Sequence, residues 1–287
     1  GAIEETLHAA LPERVDIRFG TVIAEIHSVE GGVDVTLSSG ERVEADLLVG
    51  ADGIHSQVRA HLFGPEPQFV HDLGFRTAAY VFDSERVSQL VGDKLLMVSV
   101  PDRQVGIYGL RDEKVTAFFI WRGDEALTEP RAAVQAAFGD MGWVVPDMLK
   151  ALPADDELYA DITGQVEIES WRKGRAVLLG DAAFAVSLLA GQGASLAIGG
   201  AYALGQALDR HADLETGLQA YEELVRPEAL RKQAAGRRTA SWFVPSSAFK
   251  VWVRALVFNL SALPFFSRII ESFVATSPKG IFSPGKG

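Results

Sequence analysis

The chain has 287 residues, 48% of them hydrophobic, enough to fill the core of one large or two ordinary domains. A formal net charge of −11 excludes the basic face that nucleic acid requires, so no nucleic-acid partner is expected. Without cysteine there can be no disulfide, thiolate catalysis or cysteine-bound metal, and the six histidines fall in no H-E-x-x-H or G-x-S-x-G context.

Taken in order, Glu4 to Leu11 reads as the tail of a helix ended by Pro12, with acids in place of the basic and apolar regions of a signal peptide; cytoplasmic location is the expectation. Val15 to Phe19, Thr21 to Val29, Val33 to Leu37 and Val43 to Val49 alternate or run apolar between Gly and Ser turns, which predicts a β-meander feeding a more buried last strand. Pro65 and Pro67 mark a boundary. Beyond it, β-type runs at Phe75 to Phe82, Lys94 to Val100, Val105 to Leu110, Val115 to Trp121 and Tyr159 to Ile168 predict a sheet, with short helices at Pro130 to Phe138 and Pro146 to Leu152. Arg175 to Leu179 then returns to the first unit, so the middle region reads as an insertion.

A small-residue helix follows Gly193 to about Arg210, and three glycines within it, Gly199, Gly200 and Gly205, point to close approach of another backbone or a ligand. Leu214 to Ala240 has helical spacing, with Pro227 as a kink or break and the series Arg226, Arg231, Lys232, Arg237 and Arg238 as a solvated face. Ala255 to Ser267 is too short to span a bilayer. Flanked by Lys250, Arg254 and Arg268, it reads as an amphipathic helix packed on the protein or resting on a membrane surface or partner. The tail from Ser277 reads as loose.

Two segments carry chemistry. In the first, the apolar run Val177-Leu178-Leu179 ends on Gly180-Asp181, and Gly191-Gln192-Gly193-Ala194-Ser195-Leu196 then opens a helix. Such a turn presents backbone N–H groups and one carboxylate to a polyol or anionic ligand, Asp181 accepting from hydroxyl donors; the alternative is that Asp181 caps the helix beyond it. In the second, Asp46 to Val49 runs into Gly50-Ala51-Asp52-Gly53, where Asp52 reads equally as a turn residue and as a ligand contact.

Together these segments resemble the Asp-Gly and Gly-Asp fingerprints of the class A FAD-dependent aromatic hydroxylases, the p-hydroxybenzoate hydroxylase-like flavoprotein monooxygenases. The resemblance runs from about Val15 to about Arg231, and Ser56 and Arg59 fit its pattern. It implies an α/β fold: a FAD-binding Rossmann-like domain formed by residues 1–64 and 166–212, an inserted mixed β-sheet substrate domain at 65–165, and a C-terminal helical region at 213–287. It further implies FAD as cofactor, held by Gly180, Asp181, Gly191, Gln192, Gly193, Ala194, Ser195, Asp52, Gly53 and Ile23. NAD(P)H would serve as co-substrate, and one atom of O₂ would go to an aromatic or polyketide-like small molecule. No catalytic side chain is identified, and no metal is expected.

Phe184, Leu188 and Ser195 depart from the histidine, proline and asparagine frequent at those places in the family. No G-x-G-x-x-G follows a strand here; the nearest imitation has Leu196 at the third glycine. The resemblance therefore implies an incomplete FAD-binding domain, completed by a separate N-terminal FAD-binding polypeptide or left without it. Another flavin-dependent oxidoreductase on the same scaffold and a non-catalytic fragment or binding module are the alternatives.

Overall fold

The computed structural model describes residues 2–111 and 113–261. Helix α1 (Ala2–Ala9) precedes a three-stranded antiparallel meander, β1 (Ile23–Val29), β2 (Gly32–Leu37) and β3 (Arg42–Ala45). The strand expected at Val15 to Phe19 does not form. No neighbour pairs with it among the described residues, and extension gains little without a ladder partner for its N–H and C=O groups. Phe19 is 82% exposed there.

The run Val43 to Val49 also departs from expectation by splitting between two sheets. β4 (Leu48–Gly50) leaves the meander and pairs in parallel with the distant segment Ala176–Leu178. Gly50 permits the helix that follows to pack directly on this strand, since a Cβ there would lie 2.8 Å from Val58. That helix, α2 (Gln57–Leu62), is capped by Ser56, whose Oγ accepts from the Arg59 N–H at 2.9 Å.

The predicted middle sheet is present. β5 (Val70–Asp83), α3 (Glu85–Val91), β6 (Leu95–Val100), β7 (Arg103–Gly109), β8 (Lys114–Arg122), α4 (Pro130–Phe138), α5 (Val145–Lys150) and β9 (Tyr159–Val166) follow in the chain. The strands form one antiparallel sheet in the order β6-β7-β8-β5-β9. Period-two alternation sends Ala78, Tyr80 and Phe82 of β5, with Ala117, Phe119 and Trp121 of β8, to one face, where they form a core with Val134, Phe138 and Met148. Each large side chain buried in this way contributes about 1.5–3 kcal/mol. The opposite face is left for other parts of the chain.

β10 (Arg172–Lys173) and β11 (Ala176–Leu178) then complete a small sheet of order β10-β11-β4, followed by α6 (Asp181–Phe184), α7 (Gly193–Arg210), α8 (Leu214–Phe243) and α9 (Ala248–Ser261). Trp171, Val177, Leu178, Phe184, Leu204, Tyr221 and Val225 make the core here. Of the three glycines that follow Gly193 in α7, Gly200 answers to the close-approach reading: a Cβ would meet Phe184 at 3.2 Å, whereas at Gly205 it would meet nothing within 4 Å.

Of the kink or break expected at Pro227, no break occurs: α8 runs as one helix through it, because tertiary contacts hold both sides. Tyr221, Val225 and Ala229 are buried, and Arg226 Nη2 donates to the Ile168 carbonyl at 3.1 Å. The basic series is accordingly not simply a solvated face. Arg226 and Arg237 tie α8 to β9 and the segment after it, and Lys232 donates to the Gln192 side chain. α9 packs through Arg254, which is 6% exposed and donates to Gln104 Oε1 at 2.8 Å, while Phe249 and Trp252 face outward. No helix among the described residues is long and apolar enough to cross a membrane. The expected amphipathic segment beyond residue 261 and the C-terminal tail lie outside the described residues.

Candidate functional site

β11 ends beside β4, and Leu179 extends the pairing by donating its N–H to the Gly50 carbonyl at 2.9 Å. Gly180 then adopts φ 62°, ψ −141°, a conformation open essentially to glycine alone. The turn places Asp181 at the first position of α6, where its carboxylate makes no hydrogen bond among the described residues. It does not cap the helix. Burial by the surrounding walls holds its pKa above the ordinary aspartate value.

The chain returns to Asp181 through a strained loop. Ser187 is non-glycine at φ 83°, its Oγ accepting from the Leu189 N–H at 3.2 Å, and Gly191 is left-handed at φ 62°. α7 begins with no side-chain cap, so the N–H groups of Gly193, Ala194 and Ser195 have no acceptor within the helix. Gly193 lies against the carboxylate: a Cβ there would sit 3.6 Å from Asp181 Oδ1. Gly180, Asp181, Gly191, Gln192, Gly193, Ala194 and Ser195 are thus brought together.

Two clefts meet at this point. One of about 340 Å³ lies against β9 and is walled by Ile54, Tyr159, Asp161, Val186 and Leu188; the other, of about 300 Å³, reaches Ala51, Gly53 and Gly180. Asp181, Gly193 and Ala194 line both, so the two clefts share one unpartnered carboxylate. Gly53 lines the second of them. Asp52 beside it is committed to the turn, accepting from Ser56 Oγ at 2.5 Å and from the Val58 N–H at 3.0 Å. Ile23 is not brought in: it packs from β1 against the core around Val58 and Leu178.

The wall at 185–187 is fixed from behind by two buried amides. Gln165 Nε2 donates to the Val186 carbonyl at 3.0 Å, and Gln233 Nε2 donates to the Ala185 carbonyl at 3.1 Å and the Val166 carbonyl at 2.6 Å. Neither glutamine stands out in the sequence, because the value of a buried amide depends on which carbonyls surround it.

His55, to which the sequence assigned no role, lies half exposed and bridges two elements. Its Nδ1 meets Glu66 at 3.0 Å and its Nε2 meets Asp161 Oδ1 at 3.0 Å, so the turn carrying Gly53 is joined to β9. Burial draws the His55 pKa down, but hydrogen bonds and charge from Asp161 and Glu66 outweigh it and hold the pKa above the ordinary value. The only available signal was its place two residues after Gly53.

Comparison with known proteins gives the same direction. The chain is 29% identical over 248 residues to a flavin-dependent monooxygenase of an unknown prokaryotic organism, covering 82% of this chain and 62% of that protein. It is 31% identical over 226 residues to the putative FAD-dependent monooxygenase YetM of Bacillus subtilis strain 168, covering 76% of this chain and 60% of the relative. It thus spans about three fifths of the length of these relatives. The crystal structure of the tetracycline destructase Tet(55) superposes with a TM-score of 0.71 at 26% identity, covering 88% of this chain and 67% of that one. A family model described as FAD binding domain matches residues 3–233, and the chain belongs to that family.

Proposed function

We propose that this chain is the greater part of a FAD-dependent monooxygenase that uses NAD(P)H and O₂ to hydroxylate an aromatic or polyketide-like small molecule. The observation that carries the reading is the Asp181 carboxylate, without a partner of its own, at the junction of two clefts and beside an uncapped helix N-terminus. The donor and acceptor set fits FAD. Asp181 offers an acceptor-only group to a row of hydroxyls, Gly193, Ala194 and Ser195 offer N–H groups to an electron-rich ring edge, and Gly53 and Gly180 leave room for close approach of the remaining chain of the cofactor. When bound, the flavin supplies the redox and oxygen chemistry.

The chain's own residues bind, orient and exclude water. Ile54, Val186 and Leu188 give the β9 cleft apolar walls, and Gln165 and Gln233 keep the wall from shifting. In this reading residues 1–64 and 166–212 hold the cofactor, 65–165 present the substrate, and α8 braces the two. A further FAD-binding segment, on a separate polypeptide or the same one, would complete the β4 edge, where Val49 is 38% exposed.

The visible absorption spectrum of the purified protein, with denaturation to release any chromophore, tests this first. Released FAD, together with substrate-dependent NAD(P)H oxidation matched by O₂ uptake, is the expected result. A colourless protein that takes up no added FAD, alone or with that segment supplied, rules the reading out.

A further inference from the structure

We infer that the outward face of α9 is a docking surface for an anionic lipid bilayer, on which the helix lies in the plane of the headgroups.

α9 is fixed to the protein along one side and bare along the other. Arg254 holds the inner side: its Nη1 donates to Gln104 Oε1 at 2.8 Å and to the Phe243 carbonyl at the end of α8, and its Nη2 donates to Ser99 Oγ. Ser99 belongs to β6 and Gln104 to β7, so the helix is clamped to one edge of the middle sheet. On the outer side Phe249 is 71% and Trp252 60% exposed, their rings stacked with centroids 6.1 Å apart, and exposed Leu256 follows one turn on. The spacing i, i+3, i+7 puts these three side chains on one stripe. Period-two alternation sets Leu95 and Met97 of β6 on the face shared with Ser99, and both are exposed as well. Large apolar side chains gathered in this way mark an interaction surface, where single exposed ones would not.

Charge selects what binds there. The 14 residues of α9 contain no acid. Residues 248–287 of the sequence hold Lys250, Arg254, Arg268, Lys279 and Lys286 against one acid, Glu271, in a chain whose formal net charge is −11. The other charged groups at this corner offset one another: Asp102, whose N–H donates to the Pro245 carbonyl, pairs with Arg122 at 2.6 Å, and Asp93 is followed by Lys94 at the start of β6. β6 itself carries no charged residue. Lys250 donates to Ser246 Oγ at 3.0 Å and makes no ion pair among the described residues. An acid-free helix with an aromatic stripe and a lysine beside it is matched to phospholipid, since the rings bury at headgroup level while the ammonium meets lipid phosphate. A second copy docking by the same face would set Lys250 against Lys250 with no acid to offset it.

The face is also remote from the cofactor clefts. β6 and β9 are the two edges of the five-stranded sheet, four strand spacings or roughly 19 Å apart, and the larger cleft at Asp181 lies against β9. A segment completing β4 and the cofactor site belongs at that other end of the sheet.

The test is cosedimentation of the full chain with vesicles of phosphatidylglycerol and phosphatidylcholine, set against vesicles of phosphatidylcholine alone. Binding at least about tenfold tighter to the anionic vesicles is expected. Phe249→Ser combined with Trp252→Ser should lower that binding at least about tenfold, and Lys250→Gln about fivefold, the worth of one lysine near a charged bilayer. Both variants should melt as the native protein does. Brominated lipid in the anionic vesicles should quench the fluorescence of the native chain more than that of Trp252→Phe. No binding to anionic vesicles, equal binding to the two kinds, or binding unchanged by the double variant overturns the inference. So does a Trp252 already shielded from aqueous acrylamide without vesicles, which would mean that the chain itself or a second copy covers the face.

Discussion

At the scale of single residues, Asp181 and Gly180 divide the labour of the turn after β11. Asp181 contributes no hydrogen bond to the fold, and its carboxyl group is partly desolvated. Replacing Asp181 by Asn should therefore leave thermal stability unchanged or slightly raised. FAD affinity should fall by about 1.5–3 kcal/mol, roughly ten- to hundredfold, if the carboxylate receives charge-assisted hydrogen bonds from the cofactor. Fluorescence titration with FAD and a melting curve read the two effects separately, and a variant that melts early with unchanged affinity would refute the assignment. Gly180→Ala should behave oppositely. Its φ of 62° with ψ −141° is hostile to any side chain, and a Cβ would press on Ala197 at 3.3 Å, so a loss of about 1–3 kcal/mol in urea unfolding is expected.

At the scale of elements, β9, the 185–187 loop and α8 are held together by amides and guanidinium groups, where apolar contact alone would leave backbone carbonyls unsatisfied. Gln233 is 2% exposed and serves two carbonyls; Gln165 is fully buried, serves two more, and accepts from Arg237 Nη1 at 2.6 Å. Gln233→Leu removes both amide donations, leaving the Ala185 carbonyl only its bond from the Val166 N–H at 3.2 Å, and should destabilise by about 1–3 kcal/mol. A double-mutant cycle with Gln165→Leu should show marked non-additivity, since both amides act on one wall; strictly additive losses would mean that the two do not form a unit. Here the helix pattern of Leu214 to Ala240 was legible in the sequence, but the fate of its charges was not. Helical spacing says which residues share a face, and only the neighbouring element decides whether that face meets water or carbonyl groups.

At the scale of the whole molecule, His55 links segments 106 residues apart in sequence and gives the assembled protein a pH dependence. Its pKa is raised on folding above 6.5, so its contribution to stability is fully present below that pH and is lost as pH rises through the folded value. The gap in melting temperature between the native protein and His55→Gln should accordingly be widest in mildly acid buffer and close toward alkaline pH; a gap that is constant with pH would show that the bridge does not titrate. The family, the period-two strands of the middle sheet and the Gly-Asp and Gly-Gln-Gly segments were open to a reader of the sequence, because local spacing and short-range turn chemistry encode them. Whether Val43 to Val49 formed one strand or two, whether Ile23 reached the cofactor clefts, and which carboxylate His55 would meet depended on contacts between residues far apart in the chain. Such contacts follow from the packing of whole elements, and the tertiary structure decided them.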